Sequence, residues 1–210
     1  MIDVVEEINE VQRSVGVSGE TRTVLIRRVY AATVDDVWDA CTNPERIPRW
    51  FLPVSGELRV GGRYQLEGNA AGTIEECDPP HGFSATWEYG GSVSRIELAL
   101  AREGDIGTRF ELRHTVQADD HWERFGPGAI GVGWDLGLIG LGQHLLSGAT
   151  VDPSEGLAWV ASPDGRRFVA LSSEAWRDAA VAAGADAAAA SAAAERTTAA
   201  YTGAGEPAAS

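Results

Sequence analysis

The chain has 210 residues, 44% of them hydrophobic, and a formal net charge of −14. This length supports one hydrophobic core, and the negative field repels phosphate backbones, so we exclude nucleic acid as a partner. The two cysteines, Cys41 and Cys77, are too few for a disulfide framework. The first residues lack a basic head followed by an apolar run, so we expect a cytoplasmic protein.

The first predicted elements are a helix, a strand and two further short helices. Apolar residues at spacings of four, three and four predict the N-terminal helix, namely Val4, Ile8, Val11 and Val15. The β-branched run 23–30 predicts the first strand. Thr33 is a suitable N-cap for the second helix. Asn43–Pro44 begin the third, a short helical segment that ends near Trp50.

From residue 57 to residue 116 the sequence consists of short alternating runs separated by glycine, asparagine or proline. This pattern predicts an antiparallel meander. The predicted strands are 57–60, 63–68, 72–77, 83–89, 93–102 and 108–116. In the last of them Phe110, Leu112 and His114 share one face, which we expect to be buried against the long helix that follows.

Residues 128–146 are the most apolar segment and predict a long helix that is buried on two sides. The many glycines, together with Asp135 and His144, argue against a membrane-spanning helix. One apolar stripe should meet the sheet: Ile130, Trp134, Leu138, Leu141 and Leu145. The second stripe needs another cover: Val132, Leu136, Ile139 and Leu146.

Exposing the second stripe to water would forgo roughly 6–12 kcal/mol of burial. We therefore expect a terminal segment to cover it, the C-terminal one in preference, either within the chain or across a homodimer. In that segment we predict turns as far as residue 167, then a helix around Trp176 capped by Ser172 or Ser173. An alanine-rich helix capped by Asp186 follows, and we expect the last residues to be disordered.

Several short motifs at the joints between these elements point to a known family. They are Ala40–Arg46 followed by Trp50-Phe51, Gly61–Tyr64, Asp78–Pro80, Trp87–Tyr89, Thr108–Thr115 and Gly133–Asp135. Together they resemble the activator of heat-shock protein 90 ATPase homologue family, within the START-like or polyketide cyclase (SRPBCC) superfamily. The resemblance covers roughly residues 21–147 and leaves both ends of the chain outside it.

The resemblance implies an α+β helix-grip fold, a curved antiparallel sheet of about seven strands around a long C-terminal helix. It also implies a hydrophobic pocket between the sheet and the helix. We divide the chain into an N-terminal helical extension (1–20), the helix-grip domain (21–148) and a partly helical C-terminal extension (149–210).

The function that we predict is binding of a small hydrophobic ligand, lipid-like or an aromatic or polyketide metabolite. The candidate cavity residues are Trp50, Phe51, Tyr64, Leu66, Phe83, Trp87, Phe110, Leu112, His114, Trp122, Trp134, Asp135 and Leu138. Because its helical neighbours are apolar, Asp135 should need a partner, such as an arginine. Two alternatives stay open: a cyclase or dehydratase that uses His114 or Asp135 as general acid or base, and a chaperone-linked interaction domain.

Other motifs carry no function in this context. Residues 126–131 match G-x-G-x-x-G, but they follow a polar loop after an antiparallel meander, so we interpret them as a helix start and not as a nucleotide site. The four histidines lack metal-ligand spacing, and no G-x-S-x-G elbow is present. We expect neither a metal nor a cofactor.

Overall fold

The computed structural model of the protein describes residues 2–148, 150 and 153–203. Their contacts group them into two compact units. The first unit comprises the described residues within 1–26, 117–136 and 154–210, and the second comprises those within 27–116 and 137–153. The predicted division into three segments stays a prediction. The expected disorder of the last residues falls mostly on 204–210, outside the described residues.

Eight strands form a single sheet. They are β1 (Gln12–Ser18), β2 (Thr21–Tyr30), β3 (Val54–Gly56), β4 (Arg63–Leu66), β5 (Ala71–Asp78), β6 (Gly82–Tyr89), β7 (Ser92–Glu103) and β8 (Gly107–Gln117). Their order in the sheet is β1-β2-β8-β7-β6-β5-β4-β3, and all pairs from β3 to β8 are antiparallel. The predicted α+β helix-grip fold is confirmed, with eight strands in place of about seven.

Seven α-helices and one short 3-10 helix (Ile47–Arg49) occur among the described residues. The α-helices are α1 (Val4–Asn9), α2 (Val34–Thr42), α3 (Asp120–Phe125), α4 (Gly128–Ser147), α5 (Pro153–Ala161), α6 (Pro163–Ala182) and α7 (Ala187–Thr202). As predicted, Thr33 caps α2 and Asp186 caps α7. Over the described ranges, no helix combines the length and the apolar character that crossing a membrane requires.

Two predictions for the N-terminal half of the chain are wrong. The helix expected through Val15 ends at Asn9, and the chain continues as strand β1. The strand expected at residues 57–60 is absent: the chain turns there, and the strand lies earlier, at Val54–Gly56. In this turn the backbone N–H of Gly62 donates to the carbonyl of Arg59, so the segment cannot extend along its neighbour.

The predictions for the C-terminal segment are also partly wrong. The stretch expected to be turns contains α5, and the next helix begins at Pro163 with Ser162 as its N-cap. Ser172 and Ser173 therefore lie inside α6 and cap nothing. The side chain of Ser162 accepts a hydrogen bond from the backbone N–H of Gly165, one of the N–H groups that has no partner within the helix. The helix therefore begins ten residues earlier than predicted.

Within the first unit, the C-terminal helix α6 packs against the first half of α4, as expected. In the first unit Trp176 of α6 lies so close to α4 that a Cβ on Gly131 would be 2.1 Å from its ring. Val132, in the first unit, and Ile139, in the second, are both buried. Leu146 is 84% exposed, so the expectation is wrong at the end of the helix.

Two glycines of α4 in the second unit face different surroundings. A Cβ on Gly140 would lie 2.4 Å from the carbonyl oxygen of Trp50, whereas a Cβ on Gly142 would meet only side-chain atoms of Tyr30 and Arg28, at 3.5 Å or more. Gly140 therefore permits a close approach of two backbones. Gly142 has room for a methyl group.

We expect Gly140→Ala to lower the free energy of unfolding by about 1–3 kcal/mol, because the backbone at Trp50 must move. Gly142→Ala should raise it by about 0.5–1 kcal/mol, because alanine has the higher helix propensity. Urea unfolding of both variants measures the difference. Equal effects of the two substitutions would contradict this account of the helix.

Candidate functional site

The strand register of the second unit places a set of mostly apolar side chains on one face of the sheet. Residues directly opposite each other in an antiparallel pair point to the same side. The pairs include Phe83 with Leu98, Ile96 with His114, and Leu100 with Phe110. We call this set the inner face: Phe83, Ala85, Trp87, Ser94, Ile96, Leu98, Leu100, Phe110, Leu112 and His114. The predicted common, buried face of Phe110, Leu112 and His114 is confirmed.

The opposite face of the same strands carries charged side chains. Arg95 forms ion pairs with Glu75 at 2.7 Å and Glu97 at 3.1 Å, and Arg63 pairs with Glu88 at 2.8 Å. These groups are partly or largely exposed, so water screens them and each pair adds little stability. The contrast between the two faces identifies the inner face as the side on which an apolar ligand could be held.

His114 is the one titratable group of the inner face. It is 5% exposed, and its Nε2 lies 2.8 Å from the hydroxyl of Ser94. Its ring packs against that of Trp87 in a T-shaped arrangement, with 5.8 Å between the centroids. Burial lowers the pKa of His114 to about 4. The imidazole is therefore neutral at pH 7, and with Ser94 it forms a neutral hydrogen-bonding pair in apolar surroundings.

Other aromatic candidates of the second unit are only half-buried. Trp50 and Phe51 are in contact, with ring centroids 5.3 Å apart, and the indole N–H of Trp50 donates to the carbonyl of Ala40. Phe83 packs edge-on against Trp38 of α2. Trp38 is therefore another half-buried aromatic side chain of this unit. The sequence did not identify it as a candidate, because a tryptophan at this position of α2 is equally consistent with a core residue.

The remaining candidates of the second unit are core residues. Tyr64 and Leu66 alternate with exposed residues on β4, and the hydroxyl of Tyr64 donates to the carbonyl of Thr86 at 2.7 Å. Burial raises the pKa of Tyr64. Leu138 is 2% exposed, and its carbonyl accepts from the hydroxyl of Tyr30. This hydrogen bond ties β2 to α4.

Three candidates, Trp122, Trp134 and Asp135, belong to the first unit. Trp122 lies on α3 and lines a separate cavity of that unit. Trp134 is half-buried on α4. The sequence placed these residues with the others because it could not show that α4 contributes its first half to one unit and its second half to the other.

Asp135 is almost completely buried and is bound by three side chains of the first unit. Its carboxylate accepts from Nε of Arg13 at 3.0 Å, from Nε1 of Trp176 at 3.0 Å and from the hydroxyl of Ser172 at 2.5 Å. Burial raises the pKa of Asp135, and the charge of Arg13 and the three hydrogen bonds oppose that rise. The predicted arginine partner is found, and it comes from β1.

The described residues contain no group of three or more His, Cys, Asp or Glu side chains that could hold a metal ion. His144 of α4 contacts a charged group: its Nε2 accepts from Nε of Arg46 at 3.2 Å. Arg46 also binds Asp36 and Asp39 of α2. This cluster joins α2 to α4 within the second unit and has the contacts of a structural link.

Comparison with known proteins places this architecture in a family. The family model "Activator of Hsp90 ATPase homolog 1-like protein" matches residues 31–146, which is more than half of the chain. The chain belongs to this family. The resemblance inferred from the sequence motifs is thereby confirmed, including its place in the START-like (SRPBCC) superfamily.

Solved structures agree with this assignment. CalU16 from Micromonospora echinospora is 37% identical in its crystal structure, over 80% of this chain and 97% of CalU16, with a TM-score of 0.64. Its solution structure gives 34% identity, 82% and 96% coverage and a TM-score of 0.67. EF2215 from Enterococcus faecalis, 15% identical over 85% of this chain and 95% of its own, shares the fold with a TM-score of 0.58. No curated protein matches the chain.

Proposed function

We propose that this family member binds a small hydrophobic molecule, lipid-like or an aromatic or polyketide metabolite, on the inner face of its second unit. The observation that carries the proposal is the incomplete burial of large aromatic side chains on an otherwise buried face. Phe83 and Trp87 belong to that face and are half-buried, whereas Leu98, Phe110 and Leu112 beside them are fully buried. Accessible aromatic surface next to a buried apolar wall is typical of a ligand pocket.

The polar groups of the inner face fit this role. A pocket for an apolar ligand needs few polar groups, placed where they orient the molecule. His114 and Ser94 form one such pair beside Trp87. The neutral imidazole costs less to keep in apolar surroundings than a charged group would. A ligand with one hydroxyl or carbonyl group on an aromatic or aliphatic body suits the site.

The alternative of general acid–base catalysis has weaker support. A catalytic acid or base works best with a pKa near the operating pH. The pKa of His114 is about 4, so near neutral pH its imidazole is a weak base and almost none of it is protonated. Asp135 is held by Arg13, Ser172 and Trp176 in the other unit. Neither group is poised for proton transfer, so we favour binding without chemistry.

Binding is tested with N-phenyl-1-naphthylamine, an uncharged aromatic probe whose fluorescence rises in apolar surroundings. We expect Trp87→Ala to weaken its affinity at least tenfold, because the variant removes accessible aromatic surface from the inner face. Val93→Ala is the control: it removes an apolar side chain that is 66% exposed and that lies opposite Glu88, on the charged face of the sheet. Val93→Ala should bind as the wild type does.

Melting temperatures of both variants establish that they fold. Native mass spectrometry of the purified protein adds an independent measurement, because a carrier retains apolar molecules from the expression host. The proposal fails if the wild type does not bind the probe, or if folded Trp87→Ala binds it as tightly as Val93→Ala does.

A further inference from the structure

A second cavity lies wholly within the first unit and is independent of the proposed function. It has a volume of about 350 Å³ and lies among β1, α3, the start of α4, the second half of α6, and α7. This volume is within the range of pockets that hold small molecules, roughly 300–1,000 Å³. We call it the extension cavity, because β1, α6 and α7 lie outside the residues that match the family model.

The extension cavity exists because its helical walls carry very small side chains. Alanine alone forms much of the wall contributed by α6, α7 and the turn between them: Ala180, Ala183, Ala185, Ala189, Ala190, Ala193 and Ala194. Alanine stabilises a helix without large side chains, but it cannot fill the space between neighbouring helices. Val15, Val17, Trp122 and Phe125 complete an apolar lining on the other sides.

One polar side chain of the lining has an unused hydrogen-bonding group. Ser173 is 1% exposed, and its hydroxyl has no hydrogen-bond partner in the structure. A buried hydroxyl without a partner is unfavourable, and such groups are rare in native proteins. The neighbouring Ser172 is by contrast bound to Asp135. A ligand in the cavity that reaches Ser173 would supply the missing partner.

The charged groups of the lining favour an anion. Arg22 and Arg177 line the cavity with a single carboxylate, Glu123. Nη1 of Arg22 donates to the carbonyls of Gly19 and Thr21, and no carboxylate of the described residues lies within 4.0 Å of its nitrogens. Arg177 pairs with Asp178. The first residues of α4 add the positive end of a helix dipole.

We propose that the extension cavity binds an apolar monocarboxylate, such as a fatty acid of medium chain length. The alanine-rich walls hold the hydrocarbon chain, Arg22 attracts the carboxylate, and Ser173 donates a hydrogen bond to an oxygen of the ligand. A chain with a net charge of −14 repels carboxylates in general. Such a ligand therefore requires a local arginine that no carboxylate neutralises, as Arg22 is.

Isothermal titration calorimetry with decanoate tests the proposal, with decan-1-ol as the uncharged comparison. We expect decanoate to bind more tightly than the alcohol, and Arg22→Gln to remove that preference. Ala189→Phe should weaken decanoate binding at least tenfold by filling the cavity. Ala188→Phe is its matched control, because Ala188 is the adjacent exposed residue of α7 but does not line the cavity. Its affinity should equal that of the wild type.

Ser173→Ala separates ligand binding from structure. The hydroxyl has no partner in the unliganded protein, so its removal should leave the melting temperature unchanged or raised while decanoate binds about tenfold more weakly. Decanoate binding that persists in Trp87→Ala and is lost in Ala189→Phe belongs to this cavity and not to the inner face. The proposal is overturned if decanoate does not bind, or if Ala189→Phe and Ala188→Phe bind it equally.

Discussion

Replacing Asp135 with alanine is expected to lower the free energy of unfolding by about 3–5 kcal/mol, because it leaves a buried charge without its partner. The side chain of Arg13 is 5% exposed, so water cannot replace the lost carboxylate. Ser172 and Trp176 lose their acceptor at the same time. Urea unfolding, with the midpoint and slope fitted together, measures the loss.

Two further variants show whether burial causes this effect. Glu88→Ala breaks the exposed pair between Arg63 and Glu88 and should leave the free energy of unfolding nearly unchanged, because water screens the two charges. The double variant Arg13→Met, Asp135→Ala should lose less stability than Asp135→Ala alone, because it removes both charges. An equal loss in Asp135→Ala and Glu88→Ala would show that the buried pair contributes no more than a surface pair.

Acidification is expected to destabilise the protein through His114, by up to about 3 kcal/mol. Its pKa is about 4 in the folded protein, below the ordinary value of 6.5. Between these values the unfolded chain binds a proton that the folded protein does not. Stability therefore rises with pH across this window, is fully present above about pH 6.5, and is lost as the pH falls towards 4.

His114→Gln isolates this contribution from that of the carboxylates, which titrate in both proteins. Unfolding free energies of the wild type and the variant are measured at several pH values from 7 to 4. We expect the wild type to lose more stability than the variant between pH 6.5 and 4.5. Parallel pH profiles would show that the imidazole titrates normally and is not desolvated.

The sequence predicts the sheet well because one of its faces is buried and the other is charged. On β8 Phe110, Leu112 and His114 alternate with charged residues, and this period of two fixes which side chains face inward. Asp186 and Gly203 likewise mark the ends of α7, because an acceptor at the N-cap and a glycine at the C-cap act locally.

The N-terminal segment shows why a periodic pattern can mislead. A spacing of four residues, as between Val11 and Val15, fits one face of a helix and also one face of a strand. What makes residues 12–18 a strand is the neighbouring edge of β2, a contact that no local pattern contains. Ile8 stays helical because Asp3 caps α1 through the N–H groups of Val5 and Glu6.

Only those features of the candidate site that follow from the alternation of side chains along a strand could be predicted from the sequence. The burial of His114 follows from its position on β8, but its pairing with Ser94 depends on the register between β7 and β8. The need of Asp135 for an arginine could be foreseen from its apolar neighbours. Which of the 17 basic residues would supply it could not, because Arg13 lies 122 positions away in the sequence.

The match to the family model ends before the residues that hold Asp135. Residues 31–146 include this carboxylate, but Arg13 precedes them, and Ser172 and Trp176 follow. A chain shortened to the matched residues would keep the acid and lose all three of its donors. A substitution at position 135 would therefore require compensating substitutions at positions 13, 172 and 176. We expect relatives of this protein to have all four residues or none of them.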